Sequence, residues 1–320
     1  MTPAACLRRA LLRRANLAQP VEPLDAYRLV NGSGDEAYPG LVVDRYGEAV
    51  VVMARHQVPT DVVDAWHAAC LDELSPRALV HKTVGRSAAE RTSRLVAGTL
   101  PDAPLRVREG DAVFECRLND GFQTGLFLDH RDTRQVIRQW SNGVEVLNLF
   151  AYTGAFSVHA ALAGARRVTS VDSAKRALRW GRANMVASGL APDAHRWFAD
   201  DVLAHLRRGP SQQYGLIILD PPVMGRAGGK TFSLSQQLDG LLDGAVRKLA
   251  PGGVLVFSTH ARRWTLDALR SFFERVGNKH GRIPQTLAEL GLPTWDHPPG
   301  DDFNGMDRGA YLKTLVLAFA

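Results

Sequence analysis

What this sequence lacks narrows its possible roles before any motif is read. No apolar run among the 320 residues approaches the roughly 18 that a membrane-spanning helix needs, so no membrane role is expected. Cysteine is scarce. Cys6, Cys70 and Cys116 are scattered, form no C-x-x-C and no zinc spacing, and their odd number argues against a disulfide framework. A reducing, cytoplasmic setting follows as the expectation. Acidic residues are missing before Glu22. The segment MTPAACLRRALLRRANLAQP therefore has the look of a transit peptide. However, Leu7, Leu11 and Leu12 set against Arg8, Arg9, Arg13 and Arg14 also make one amphipathic helix, and the segment has no secretory apolar core. An ordinary first helix within residues 1–21 is the preferred reading.

The rest of the composition is that of a globular protein, 45% hydrophobic and 22% charged, and the length suits two domains. The formal net charge is +6, carried mostly by arginine. Arginine forks match phosphates and stack on bases, so a polyanion such as RNA is a natural partner. The competing reading is an enzyme that is merely basic.

Residues 22–108 read as a small α/β domain with a possible RNA contact. Gly40–Tyr46 and Ala49–Ala54 are strands around a Gly47-Glu48 hairpin signal. Asp61–Leu74 is an amphipathic helix, and Ala78–His81 and Arg94–Ala97 are further strands. The basic, polar stretch Lys82–Arg94 is either a nucleic-acid contact or a solvated loop. Residues 109–320 read as a second, larger domain. Val113–Leu118 is a strand, Asn119–Gln123 a turn, and Asp129, His130 and Arg131 stand just before a helix over Asp132–Trp140.

The centre of the larger domain is Val144–Asp172. Val144–Phe150 is a short apolar strand, Ala151-Tyr152-Thr153-Gly154 breaks it, and Ala155–Leu162 is a compact helix. Arg166–Val171 is a second strand, with Asp172 at its carboxyl end. Such a unit opens a doubly wound α/β sheet and places backbone N–H groups, a helix start and a carboxylate around a ligand. The dinucleotide fingerprint G-x-G-x-x-G is absent, since only Gly154 stands in the turn. A pyrophosphate could not approach closely, whereas a nucleoside without one fits, and S-adenosylmethionine is such a molecule. The alternative is a generic βαβ unit with a surface Asp.

The alternation then continues. Ala174–Ser188 is a helix capped by Gly189, His195–Phe198 a short strand, and Asp200-Asp201 opens another helix. An acid there can accept from an adenine amino group, or simply cap the helix. Tyr214–Leu219 is a buried strand ending in Asp220-Pro221-Pro222. The prolines fix the backbone, remove N–H groups and leave carbonyls to face a cleft. A carboxylate with fixed carbonyls can orient an amino or ring nitrogen and hold developing positive charge. Helices over Ser233–Leu249 and Thr265–Val276 and strands over Val254–Ser258 and Tyr311–Phe319 complete an open, mostly parallel sheet. The segment Gly225–Thr231 misses the phosphate-loop pattern by one place, because Met224 stands where its first glycine belongs. A loop over the acceptor site is expected there. Cys116 reads as a structural thiol, and His260 as an acid/base group, an RNA contact or a cap.

With these motifs in place, the chain resembles the S-adenosylmethionine-dependent methyltransferases of 23S, large-subunit, rRNA. The resemblance covers about residues 24–320. It rests on YRLVNGSGDEAYPGLVVDRYG, TGLFLDHRDTR, VLNLFAYTGAFSVHAALAGA, the DPP, and the late WDHPP and YLKTL. It implies a class I (Rossmann-like) methyltransferase fold, an S-adenosyl-L-methionine cofactor and an RNA partner. It implies a cofactor site lined by Asp129, Arg131, Asn148, Phe150, Tyr152, Thr153, Gly154, Asp172, Ser173, Asp200, Asp201 and Asp220, with Asp220, Pro221 and Pro222 at the acceptor. No metal is implied, because direct displacement from a sulfonium needs none. Two departures stand out. Before residue 22 there is no room for the RNA-binding PUA domain that members often carry. And the cytosine-C5 members need a cysteine after the fifth strand, where this chain has Phe257-Ser258-Thr259-His260. A hydroxyl without an activating base is a poor substitute, so 5-methylcytosine is not the expected product. The alternatives are a methyltransferase of a small molecule or protein on the same scaffold, and a non-catalytic RNA-binding assembly factor. Monomer and homodimer both remain open.

Overall fold

The computed structural model describes residues 1–16, 19–85, 87, 90–119, 121, 123–208, 213–227, 230–300 and 311–320. The chain forms two compact units, Met1–Arg131 with Leu292–Ala310, and Asp132–Gly291 with Tyr311–Ala320.

Unit 1 begins with helix α1 (Pro3–Ala15), where the Thr2 hydroxyl caps the first turn by accepting from Ala5 N–H. Cys6, Leu7 and Ala10 are buried while Arg8 and Arg9 are exposed. But Leu12, expected on the apolar face, is 62% exposed, and Arg14, expected on the polar face, is buried because it pairs with Asp35 at 2.9 Å. The strands β1 (Ala26–Asn31), β2 (Leu41–Tyr46) and β3 (Ala49–Arg55), helix α2 (Thr60–Leu74), and strands β4 (Ala78–Val84) and β5 (Thr92–Gly98) follow. They make one five-stranded sheet in sequence order. The β2–β3 turn bends at Gly47, whose φ of +57° suits a residue without a Cβ. Helix α2 crosses over between β3 and β4, which pair in parallel. The unit's core packs Leu29, Val43, Val50, Val52 and Leu79 with Trp66, Cys70 and Leu7.

The hairpin β6 (Leu105–Glu109) and β7 (Ala112–Cys116) also belongs to unit 1. Asp25 N–H donates to the Arg108 carbonyl and Gly110 N–H to the Pro23 carbonyl, at 2.9 and 2.8 Å. The division expected after residue 108 therefore lies at Arg131 instead, because backbone pairing of this kind leaves no trace in side-chain pattern. Residues 292–300 return to the same unit, through the buried Asp296.

Unit 2 runs through α3 (Arg131–Ile137), β8 (Glu145–Leu149), α4 (Ala155–Leu162), β9 (Arg167–Asp172), α5 (Lys175–Ala187), β10 (Arg196–Ala199), α6 (Val202–Arg207) and β11 (Tyr214–Leu219). It continues through β12 (Met224–Ala227), β13 (Lys230–Ser233), α7 (Leu234–Lys248), β14 (Leu249–Thr259), α8 (Leu266–Lys279), β15 (Pro284–Leu290) and β16 (Lys313–Phe319). Seven strands make one sheet in the order β10-β9-β8-β11-β14-β16-β15. The first five are parallel, and β16 runs antiparallel to both its neighbours.

Strand alternation divides the core in two. Leu147, Leu149, Ile217, Leu219, Leu255 and Phe257 face Leu206 of α6, Leu238 and Leu242 of α7, and Phe273 of α8. Val146, Leu216, Ile218, Val254 and Val256 face Ile137 of α3 and Phe156 and Ala160 of α4. Both faces are covered, which is why these strands read as unbroken apolar runs. This is the expected doubly wound sheet with a small N-terminal α/β domain. Strand β15 was not foreseen, since none of its side chains is buried and it carries no apolar run. Helix α3 is shorter than expected, its last turn tightening to 3₁₀ geometry at Arg138–Trp140.

Candidate active site

The chain leaves β8 at Leu149 and turns through Phe150–Gly154. Three of those five residues occupy the left-handed region, Phe150 at φ +58°, Tyr152 at +48° and Gly154 at +70°. For a residue with a Cβ that conformation costs roughly 1–2 kcal/mol, so it persists only where neighbours enforce it. The enforcement is visible. Ala151 N–H donates to the Val171 carbonyl at 3.0 Å, and Gly154 N–H to the Ala151 carbonyl at 2.8 Å. Asp172 Oδ2 accepts Tyr152 N–H, and its Oδ1 accepts Ala174 N–H, both at 2.8 Å. Asn184 of α5 donates from Nδ2 to the Thr153 carbonyl at 2.9 Å. A Cβ on Gly154 would lie 3.3 Å from Gly181 Cα and from the Trp197 ring, so helix and turn meet backbone to backbone. Helix α4 then starts at Gly154 with no side-chain cap.

Asn148 sits under this turn and is 1% exposed. Its Nδ2 donates to Ser157 Oγ at 2.8 Å, and Ser157 meets Ser170 at 2.8 Å. This ladder braces the turn from inside the sheet. The carboxyl ends of β9 and β10 hold the next group. Asp172 is half-buried and Ser173 exposed. Asp201 caps α6, its Oδ1 accepting Ala204 N–H at 2.7 Å. Asp200 accepts Asp201 N–H at 2.9 Å and pairs with Arg208 at 2.7 Å, so it steadies the cap. Phe198, within β10 just before them, is 39% exposed and has His205 at 5.2 Å from its ring. An aromatic face left open beside two acids suits a nucleobase. Phe198 escaped the sequence reading because an apolar residue in a short strand looks like core. Asn184 escaped it too, since an Asn inside a helix carries no positional signal.

Asp220 is half-buried at the end of β11, followed by buried Pro221 and exposed Pro222. Leu219 pairs with Leu149 on one side and Phe257 on the other. Asp220 therefore emerges between the Phe150–Gly154 turn and the Ser258–His260 strand end. That point, where the strand order reverses about β8, is where open α/β sheets bind ligands. The stretch expected to be a loop over the acceptor is a hairpin, β12 paired with β13. Gly228 and Gly229 lie outside the described residues. The hairpin rests on the turn through Phe232, whose ring meets Phe150 edge-on at 5.2 Å. It leaves Val223 and Met224 exposed beside the prolines. His260 stacks on Tyr311 at 5.5 Å, at the end of β14.

Two expected site residues belong to unit 1. Asp129 lies half-buried on a 3₁₀ turn, Leu128–His130. Arg131 is buried, with both terminal nitrogens on the Asp296 carboxylate at 2.9 Å. Burial alone would raise the Asp296 carboxyl, but His297 and Arg131 outweigh it and hold it well below the usual carboxylate range. The three cysteines are buried and also belong to unit 1. Burial pushes the Cys70 thiol up to about 12, and burial with Asp35 pushes Cys6 up to about 11, so both stay protonated at neutral pH.

Similarity to known proteins fits this geometry. The family description "S-adenosylmethionine-dependent methyltransferase" matches residues 56–269. A ribosomal RNA large subunit methyltransferase of Deinococcus radiodurans is 35% identical over 332 aligned positions, covering 98% of this chain and 78% of the relative. A solved methyltransferase complexed with SAH superposes with a TM-score of 0.85 at 27% identity, covering 99% of this chain and 82% of that one. A SAM-dependent methyltransferase structure from Streptococcus mutans gives 0.84 at 27% identity, with the same coverage.

Proposed function

The chain belongs to the S-adenosylmethionine-dependent methyltransferase family, and on that premise we propose that it methylates a base of large-subunit ribosomal RNA in the cytoplasm. The observation that carries the reading is the register of β8, β9 and β11, which sets Asp172 and Asp220 at strand ends around one constrained turn. The name of the Deinococcus relative and the net charge of +6 support RNA as the acceptor.

S-adenosylmethionine supplies an electrophilic methyl group on a sulfonium. The chain's own residues do the rest. Asp172 accepts from the ribose hydroxyls with the lone pairs its two backbone bonds leave over. The Phe150–Gly154 turn faces the methionine end, with Tyr152 and Thr153 presenting backbone groups. Asp201 accepts from the adenine amino group through the oxygen that does not cap α6, and Phe198 covers the ring. Asp220 and the carbonyls before and within Pro221-Pro222 orient an amino or ring nitrogen and offset the positive charge it gains as it attacks. The strand end Phe257–His260 offers no thiol, so a route needing a covalent enzyme–cytosine adduct has no nucleophile there.

Mass spectrometry of nucleosides from rRNA of a strain lacking the gene, beside its parent, tests this reading. Loss of one methylated guanine or cytosine identifies substrate and atom together. An unchanged profile, with the gene expressed in the parent, moves the acceptor outside the ribosome. Formation of 5-methylcytosine by the purified protein overturns the argument from the missing thiol.

A further inference from the structure

Unit 1 holds a cavity of about 240 Å³ lined by none of the candidate active-site residues. Its place follows from the chain path. Strands β3 and β4 are parallel, so α2 must cross back and begin beside their carboxyl ends. The pairings Thr83↔Thr92 and His81↔Arg94 put these four side chains on one face of the sheet. Opposite stands the first turn of α2, with Thr60 and Asp64 in the cavity wall and Pro59 at the N-cap, where no side chain caps the helix. Arg55 and His56 close the cavity from the end of β3.

These groups share one preference. Two guanidinium forks, the hydroxyls of Thr60 and Thr83 and an uncapped helix start all favour an oxyanion, with Thr92 holding Thr83 in place. A hydrogen-bonded chain positions the hydroxyls. His67 Nε2 meets His81 Nδ1 at 3.1 Å, His81 Nε2 meets Thr83 Oγ1 at 3.1 Å, and Thr92 donates to Thr83 at 3.0 Å. Two acids oppose an anion. Asp64 lies 3.7 Å from His67 Nδ1, and Glu90 lies 3.7 Å from His56. Their side chains are 63% and 40% exposed, so water and salt screen both charges. The volume is below the roughly 300 Å³ at which small-molecule pockets usually begin, which suits a single phosphate group better than a nucleoside.

We propose that this cavity binds one phosphate group, and that during rRNA methylation the group is a phosphodiester of the RNA backbone. The second half rests on the RNA reading above; the first does not. The test is a titration of the full chain with inorganic phosphate at constant ionic strength, followed by amide NMR. Shifts at Thr60, Asp61 and Val62 that vanish in Arg94→Gln are expected. Thr92→Val, which keeps the side-chain shape, should weaken them. Binding of a large-subunit rRNA fragment should then fall several-fold in Arg94→Gln, with a salt dependence smaller by about one phosphate contact. SAH affinity should be unchanged in both variants, which confirms an intact unit 2. Phosphate shifts with unaltered RNA affinity overturn the backbone assignment and leave a site for free phosphate. Phosphate shifts in a protein that binds no RNA overturn the RNA reading alone. Shifts no larger than those produced by chloride overturn the site itself.

Discussion

Asp172 has each carboxylate oxygen engaged by one backbone N–H, from Tyr152 and Ala174. It therefore shapes the turn, besides the ribose contact proposed for it. Asp172→Asn replaces one acceptor by an NH₂ group that faces an N–H donor. Bonds to a charged partner are worth roughly 1.5–3 kcal/mol, so SAH should bind at least about tenfold more weakly. Calorimetry decides it, and unchanged affinity removes Asp172 from the site. His81 offers a second measurement at this scale. Burial, then His67 and Arg94, push its imidazole down to about 4, from an ordinary value of 6.5. A base with a depressed folded pKa binds fewer protons than the unfolded chain does between those values. Its contribution is complete above about pH 6.5 and is lost as the pH falls toward 4, by at most about 3 kcal/mol. Carboxylates add their own acid dependence, so the comparison is with His81→Gln. The urea midpoint of the variant should change less between pH 7 and pH 4.5 than that of the parent, and equal changes would refute the assignment. Asp172, Gly154 and Asp220 were legible in the sequence because each stands where a strand pattern stops. Phe198 and Asn184 were not, because their roles depend on what the fold leaves open or brings near.

At the scale of elements, the close approach of α5 to the Thr153 turn governs the site. A Cβ on Gly181 would come within 2.8 Å of the Trp197 ring and 3.2 Å of the Thr153 carbonyl carbon and oxygen. Gly181→Ala is a good substitution for a helix in isolation, gaining roughly 1 kcal/mol of propensity. Here it should push the turn off its geometry and weaken SAH binding while far-ultraviolet dichroism stays the same. Parent-like affinity would show that the turn tolerates displacement. The helices and most parallel strands were readable from length, caps and apolar runs, and Ala155–Leu162 and Tyr214–Leu219 coincide with their expected bounds. The β12–β13 hairpin was not, because its strands are only four residues each and their order comes from pairing and from Phe232 resting on Phe150.

Across the whole molecule, the late segment containing Asp296 is tied to unit 1 rather than to the strands that flank it in sequence. Asp296 is fully buried, takes both nitrogens of Arg131, and accepts Arg28 N–H at 3.0 Å. Its carbonyl accepts from Arg14 at 2.9 Å. Removing one partner of such a pair leaves an uncompensated buried charge, at a cost of about 3–5 kcal/mol. Asp296→Ala should therefore lower the unfolding midpoint of unit 1 clearly, read from Trp66 and Trp295 fluorescence. A loss below about 1 kcal/mol would mean that the pair nearly cancels its own desolvation.

Residue order alone set the class of fold, the turn after the first strand of the sheet, the acid after the second and the Asp-Pro-Pro after the fourth. Those features are local: periodicity, a break in it, and the residue type at the break. It also excluded a thiol at the strand end Phe257–His260, since absence of a side chain is visible without coordinates. That Arg131 pairs with Asp296, that the hairpin β6–β7 belongs to unit 1, and that Arg55, Thr83 and Arg94 share a cavity became visible only in the folded chain. Those facts depend on which strands pair and in what register, and register is set by the packing of many distant side chains together.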